Sequence, residues 1–425
     1  MASSIESRIG AIPNKCDRIS LIGNTGMSRK RMMPNNPNQP RKDDVVLGSQ
    51  NFAPIGSVIL GGIEGVKSRL ANPFVEVQVA ALKEAINYGE AGLDLVLQGL
   101  TDESESIKIA AYLLLRHRTD PKVKQALQGF NHWQLIKCLS TLERYSGRVI
   151  SLPISPDGQR IFVGGYGVIH IWDWQTGTVQ TRSLQGHSDE VNFLDFTLDG
   201  QTIIGGSWKD CRIKAWDWQT GDILSSPIKE YSLGINSIAI CSDGETIIVG
   251  CGRGLIKVWN WRKNQLQRVI EGHSGSVKVA LSPDGKTLVS GGDNTIKIWN
   301  WQTGELLRNL EEPQGVYYLA ISFEKETVIS SNYEKIKLRD LQTGRLKLTL
   351  NQHPKHIRCL AISSDGCTLV SGSRTGTLKV WNLQTGELIC TIEGHSYYID
   401  GLAFDLNQQI IVSSSPNEIK VWGVG

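Results

Sequence analysis

A four-residue strand signature ending in tryptophan recurs seven times in this 425-residue chain. The copies are Ile169–Trp172, Ile213–Trp216, Ile256–Trp259, Ile296–Trp299, Ile336–Arg339, Leu378–Trp381 and Ile419–Trp422, with arginine closing the fifth. Their last positions step by 44, 43, 40, 40, 42 and 41 residues. A fixed period near forty residues means a repeat architecture, in which each copy buries its apolar face only by stacking on its neighbours. Turn signals bracket the copies. Ser-Pro-Asp-Gly stands at Ser155–Gly158 and Ser282–Gly285, Leu-Asp-Gly at 198–200, and Ser-Asp-Gly at 242–244 and 364–366. Gln-Thr-Gly follows at 175–177, 219–221, 302–304, 342–344 and 384–386. Glycine supplies the positive φ that such turns need, and aspartate supports them through its side chain. The runs between are rich in Val, Ile and Trp, which predicts short strands.

The first 130 residues read differently. Residues 1–50 are polar and aperiodic, with Arg29-Lys30-Arg31 and a Pro/Asn/Gln stretch over Pro34–Pro40. This composition predicts a disordered basic tail. Asn72-Pro73 predicts a helix start, with Asn as cap and Pro in the first turn, and Gly89 a left-handed stop. Further helices are expected over Gly92–Leu100, over Ser106–His117 and from Asp120-Pro121. Ala80-Ala81 recurs as Ala110-Ala111, and small residues at equivalent positions let helices approach closely. This part resembles a pair of HEAT-like repeats.

From Trp133 onward the residues resemble the WD40-repeat family. The markers are Gly186-His187, Gly272-His273 and Gly394-His395, the Ser-Pro-Asp-Gly-type turns and the terminal Trp-Asp or Trp-Asn pairs. The resemblance implies a mainly β fold, a seven-bladed β-propeller with one four-stranded blade per repeat. Only three residues follow Trp422, so the seventh blade needs an outer strand from elsewhere. Leu135–Leu142 aligns with the fourth strands at Glu305–Leu310 and Glu387–Ile392, and is expected to complete it. That closure removes two open sheet edges. The expected organisation is a tail over 1–50, a HEAT-like helical domain over 51–132 and the propeller over 133–425. The combination is similar to bacterial, especially cyanobacterial, WD40-repeat proteins.

The resemblance also implies a buried hydrogen-bond chain of His, Ser/Thr, Asp and Trp within a blade. One repeat carries the full set, as His273, Ser290, Asp293 and Trp299. The second repeat has Gly206 in the hydroxyl slot, the sixth has Thr375 in the Asp slot and the seventh has Pro416 there. A Ser/His/Asp set raises the question of nucleophilic catalysis, but the repeat frame gives these residues a structural role. Inter-blade apolar packing is expected to carry the stability. Likewise the Trp-x-Trp pairs 172/174, 216/218, 259/261 and 299/301 are expected in inter-blade core rather than as a ligand cage.

Charge and composition narrow the function. The net charge is +3, and residues 1–50 carry eight Lys/Arg against four Asp/Glu. The other 375 residues are therefore close to neutral, which argues against a nucleic-acid surface. No run approaches the roughly 18 apolar residues of a membrane helix, and residues 1–20 lack the apolar core of a secretory signal. The eight cysteines form no CxxC pair, which fits a reducing, cytoplasmic setting. No Cys/His set has zinc spacing, and Gly250–Gly254 lacks the helix that phosphate binding needs. No metal, cofactor, membrane or small-molecule substrate is expected.

What varies between repeats is then the candidate surface. The turns between second and third strands offer Tyr166, Trp208-Lys209, Arg253, Asn294, Tyr333, Arg374 and Pro416. The loops into the first strands add Tyr231, Tyr317-Tyr318, His356 and Tyr397-Tyr398. Tyr, Trp and Arg dominate binding hot spots, so this rim reads as a platform for protein or peptide partners. The expected function is a non-enzymatic interaction scaffold. The alternatives are a regulatory partner of a separately encoded signalling enzyme, nucleic-acid association through the basic tail, and an enzyme with an unrecognised site.

Overall fold

Seven four-stranded antiparallel sheets follow one another along the chain. The structure is a computed structural model that describes residues 61–143, 149–179, 183–224, 228–229, 234–282, 284–322, 326–351, 353, 356–363, 365–405 and 409–425. The expected tail over 1–50, and Tyr231, lie outside these residues. The chain divides into two units, Met1–Arg69 and Leu70–Gly425. The described part of the first is helix α1 (Gly62–Leu70), which the sequence reading did not mark.

The second unit opens with α2 (Val75–Ala85), α3 (Gly89–Gly99), α4 (Glu105–Leu115) and α5 (Pro121–Gly129). The expected cap at Asn72 is displaced. Its side chain accepts the Phe74 N–H at 2.9 Å, and the helix starts two residues later than expected, at Val75. Asp120 does cap α5, accepting from Lys122 N at 2.9 Å with Pro121 in the first turn. Of the paired alanines, Ala81 and Ala111 are buried, whereas Ala80 faces solvent. The close approach rests on glycines as well. A Cβ at Gly99 would sit 3.0 Å from the Ala111 methyl, and one at Gly92 would collide with the Ala85 carbonyl.

Blades 1 to 7 carry, in order, the third strands Tyr166–Asp173, Arg212–Asp217, Leu255–Asn260, Thr295–Asn300, Ile336–Asp340, Thr377–Asn382 and Glu418–Gly423. The ring closes as the sequence predicts. Lys137–Glu143 pairs antiparallel with Glu418–Gly423, with Cys138 opposite Trp422 and Leu142 opposite Ile419. Leu135, expected in this strand, instead ends a short 3-10 turn, His132–Leu135. Blade 1 is the irregular one. Its innermost segment makes only an isolated bridge, Ile154 to Ile161, because Pro153 has no N–H to give the ladder.

Each junction between adjacent blades holds an apolar cluster. At the closing junction Val149, Ile161 and Trp172 of blade 1 meet Ile410, Val412 and Val421 of blade 7. The segment after the helices is anchored at the junction of blades 6 and 7. Trp133 is 8% exposed and packs with Val380, Ile399 and Ile411, its ring 5.7 Å from that of Phe404. His132 stacks on Tyr112 of α4 with centroids 5.0 Å apart, and the Tyr112 hydroxyl donates to Gln409 of blade 7.

Candidate functional site

The residues that look like chemistry are joined into buried structural chains. In blade 4, His273 Nε2 and Ser290 Oγ are 2.8 Å apart, and Trp299 Nε1 donates to the same Oγ at 2.8 Å. Asp293 is not joined to this chain by a hydrogen bond. It accepts the Ser274 N–H at 2.6 Å, which holds its carboxyl below the ordinary value, while Thr295 Oγ1 lies 3.3 Å from His273 Nδ1. In blade 6, Ser371 bridges His353 and Trp381 at 2.7 and 2.8 Å. Thr375 bonds Ser373 instead, and His353 Nδ1 is left without a partner. In blade 7, Ser413 bridges His395 and Trp422 at 2.6 and 2.7 Å. Glu418 supplies the carboxylate that Pro416 does not, 3.0 Å from His395 Nδ1. Burial pushes His353 and His395 down to about 4, so both are neutral at pH 7.

Blade 2 shows why glycine replaces serine there. A Cβ at Gly206 would meet Ile238 of the next blade at 2.7 Å. Trp216 therefore donates to the Gln185 carbonyl at 3.0 Å, and His187 holds only Asp210, at 2.8 Å. Blade 5 abandons the chain. Arg339 donates to Glu312 at 3.2 Å and Lys337 Nζ pairs with the same carboxylate, which is 2% exposed. Glu312 and Pro313 stand where other blades carry Gly-His, so a buried ion triad replaces the histidine–serine–tryptophan set.

The second tryptophan of each Trp-x-Trp pair has a further task. Trp174, Trp218, Trp261 and Trp301 donate to the turn carbonyls of Gly158, Gly200, Gly244 and Gly285 at 2.9, 2.8, 3.0 and 2.7 Å. Each indole thus locks the turn of its own blade and packs against the preceding one. Trp218 meets Phe162 edge-on at 5.6 Å, and Trp301 packs with Val258.

The rim residues are presented to solvent. Tyr166, Trp208, Tyr333 and Tyr397 are 69, 54, 45 and 54% exposed, and Lys209, Arg253 and Arg374 are exposed as well. Several are held in place by the backbone. Arg253 (φ 55) and Gly254 (φ 76) form a two-residue hairpin turn of the kind that matches sheet twist. Arg374 N donates to the His356 carbonyl at 3.0 Å within blade 6, and Ile357 N to the Tyr333 carbonyl at 3.0 Å, tying blade 6 to blade 5. Trp208 lies over Gly234 of the next loop, where no Cβ would fit.

One group of rim side chains converges. Tyr317 and Tyr333 have ring centroids 3.9 Å apart, and His356 meets Tyr333 edge-on at 5.0 Å. The hydrogen-bonded Tyr333 raises the Tyr317 hydroxyl above its ordinary pKa. Nearby in sequence, Arg358 lies 4.5 Å over the Tyr398 ring and pairs with Asp400. Tyr166, Arg253 and Tyr397 stand apart from this cluster on other blades. Sequence reading found each rim residue but not their convergence, which depends on how blades 5 and 6 abut. Among the described residues, no set of three or more His, Cys, Asp or Glu is placed to hold a metal, and no helix is long and apolar enough to cross a membrane.

The sequence profile of the WD domain, G-beta repeat, matches residues 136–173, 178–217, 225–260, 264–300, 344–382 and 386–423. The span it passes over, 301–343, is the repeat that ends in Arg339 and builds the ion triad. No curated protein matches the chain.

Proposed function

This chain belongs to the WD40-repeat family, and from that premise we propose that it is a non-enzymatic scaffold holding a protein or peptide partner on one rim of its propeller. The observation that carries the reading is the Tyr317–Tyr333–His356 cluster. Three rings from adjoining blades pack edge and face, with both tyrosines more than a third exposed. Aromatic groups ordered before binding lose little entropy on contact, which is what makes them anchors. Trp208, Arg253, Arg374 and Tyr397 extend the same rim with aromatic and cationic groups. The histidine–serine pairs do not compete for this role, because they are bonded to tryptophan indoles inside the blades. Cys241, Cys251 and Cys359, all buried and none of them in a disulfide, suit a reducing, cytoplasmic setting.

The test is affinity capture from native lysate, with the wild-type chain beside a Trp208→Ala, Tyr333→Ala, Arg374→Ala triple variant. A partner captured by the first and lost by the second, at equal Tm, supports the rim. Identical captured sets overturn it.

A further inference from the structure

The repeat defines a space that blades 1 to 4 fill for themselves and blade 5 does not. At three successive junctions, Trp218, Trp261 and Trp301 join the apolar clusters that hold Ile171, Ala215 and Val258 of the preceding blade. The equivalent residue of blade 5 is Leu341, and the equivalent wall of blade 4 is Ile298. The smaller side chain leaves a cleft of about 510 Å³ between blades 4 and 5, lined by three aliphatic residues, Ile298, Leu307 and Leu341, and by polar ones that include Asp284, Arg308, Glu326 and Gln342. Ligand pockets run from about 300 to 1,000 Å³, so the cleft can hold an aromatic side chain with its backbone attachment.

The next junction shows that losing the tryptophan does not by itself leave such a space. Leu383 replaces the second tryptophan of blade 6, but Leu348 and Leu350 of blade 5 join the cluster around it. The blade 4 residue that corresponds to Leu348 is Arg308, and it turns to the Gln342 carbonyl instead of inward. Gln342 in turn donates to Glu326, so part of the polar lining is tied in place beside the three aliphatic side chains.

We propose that this cleft is a binding site for a tryptophan side chain of a partner polypeptide. The chain itself supplies the template: an indole seated on an aliphatic wall at the same place in the three preceding junctions. The site is distinct from the rim. It opens beside Asp284 and Glu326, at the opposite end of the strands from Tyr333 and Trp208. Such an arrangement lets one propeller hold a partner at two faces at once.

Ligand-observed saturation-transfer NMR on the full chain, with N-acetyl-tryptophanamide as probe and N-acetyl-leucinamide beside it, tests the assignment. The wild type is expected to saturate the indole protons at least fivefold more strongly than the leucine methyls. Leu341→Trp fills the space from within and abolishes the transfer. Leu307→Asp, on an exposed outer strand, weakens it severalfold with the fold intact, and decides the matter alone if Leu341→Trp does not fold. The rim triple variant keeps full transfer, which separates this site from the rim. No transfer to wild type, equal transfer to the leucine probe, transfer that survives Leu307→Asp, or loss in the rim variant would each overturn the proposal.

Discussion

Arg339 donates to the Glu312 carboxylate at 3.2 Å, at the position where five other blades bury a signature tryptophan almost completely. The pair, joined by Lys337, converts a break in the repeat into a local solution of another kind. Removing one member leaves buried charge uncompensated, which costs about 3–5 kcal/mol, whereas replacing all of them by apolar groups is often neutral. Glu312→Ala should therefore lower the urea midpoint sharply. Combining it with Lys337→Met and Arg339→Leu should recover most of the loss. If the triple variant is as unstable as the single one, the triad contributes more than mutual compensation.

Ser371 accepts from the Trp381 indole and lies within hydrogen-bond distance of His353. Ser371→Ala strands both buried groups, at about 1–3 kcal/mol for each. The expected loss is on the order of 3 kcal/mol by equilibrium unfolding. Adding Trp381→Phe removes one stranded donor, so the double variant should lose less than the two single losses added together.

The buried histidines make stability depend on pH. Burial depresses His132, His353 and His395 to about 4 in the folded chain, against an unfolded value near 6.5. Between these values the unfolded chain binds more protons. Their stabilisation is complete above about pH 6.5 and is lost as pH falls toward 4. Asp195 opposes this. It faces the central channel in a dense protein surround that pushes its carboxyl up to about 6, so it takes up a proton on folding in the same window. Three histidines outweigh one aspartate, so Tm should fall by several degrees from pH 7 to 5. His353→Gln should flatten that slope, and Asp195→Asn should steepen it. A flat profile in the wild type would contradict the burial of these imidazoles.

Tyr333 sits between Tyr317 and His356 at the rim. Tyr333→Phe keeps the ring and removes the hydroxyl, so Tyr317 should titrate at lower pH in an alkaline ultraviolet titration. Tyr333→Ala should reduce partner capture at least tenfold and leave Tm nearly unchanged, because the residue is 45% exposed. A large fall in Tm would make the cluster a structural element instead.

The ring was readable in the sequence because strand ends, turns and the closing segment all obey the same period. Local exceptions were not readable where the deciding atom comes from another repeat or from outside the expected slot. Ile238 of blade 3 forces glycine at 206 in blade 2. Glu418 reaches His395 from two positions beyond the expected slot, because the tight turn at Pro416 brings it there. Thr295 displaces Asp293 at the His273 ring for a similar reason. Arg339 looked like a lost tryptophan, and its role required knowing that Glu312 folds in beside it. The aromatic cluster of the rim depends on two adjoining blades and has no signature along the chain.

The strand Lys137–Glu143 is made early and used late. Its partner, Glu418–Gly423, is the last strand of the chain. During synthesis six blades must emerge before the first-made strand of the propeller finds its neighbour. Until then the seventh sheet has no complement, and the early strand has an unpaired edge of its own. Ring closure is thus a clock as well as a clasp: the propeller cannot complete its circuit until the ribosome has delivered the third strand of the seventh blade.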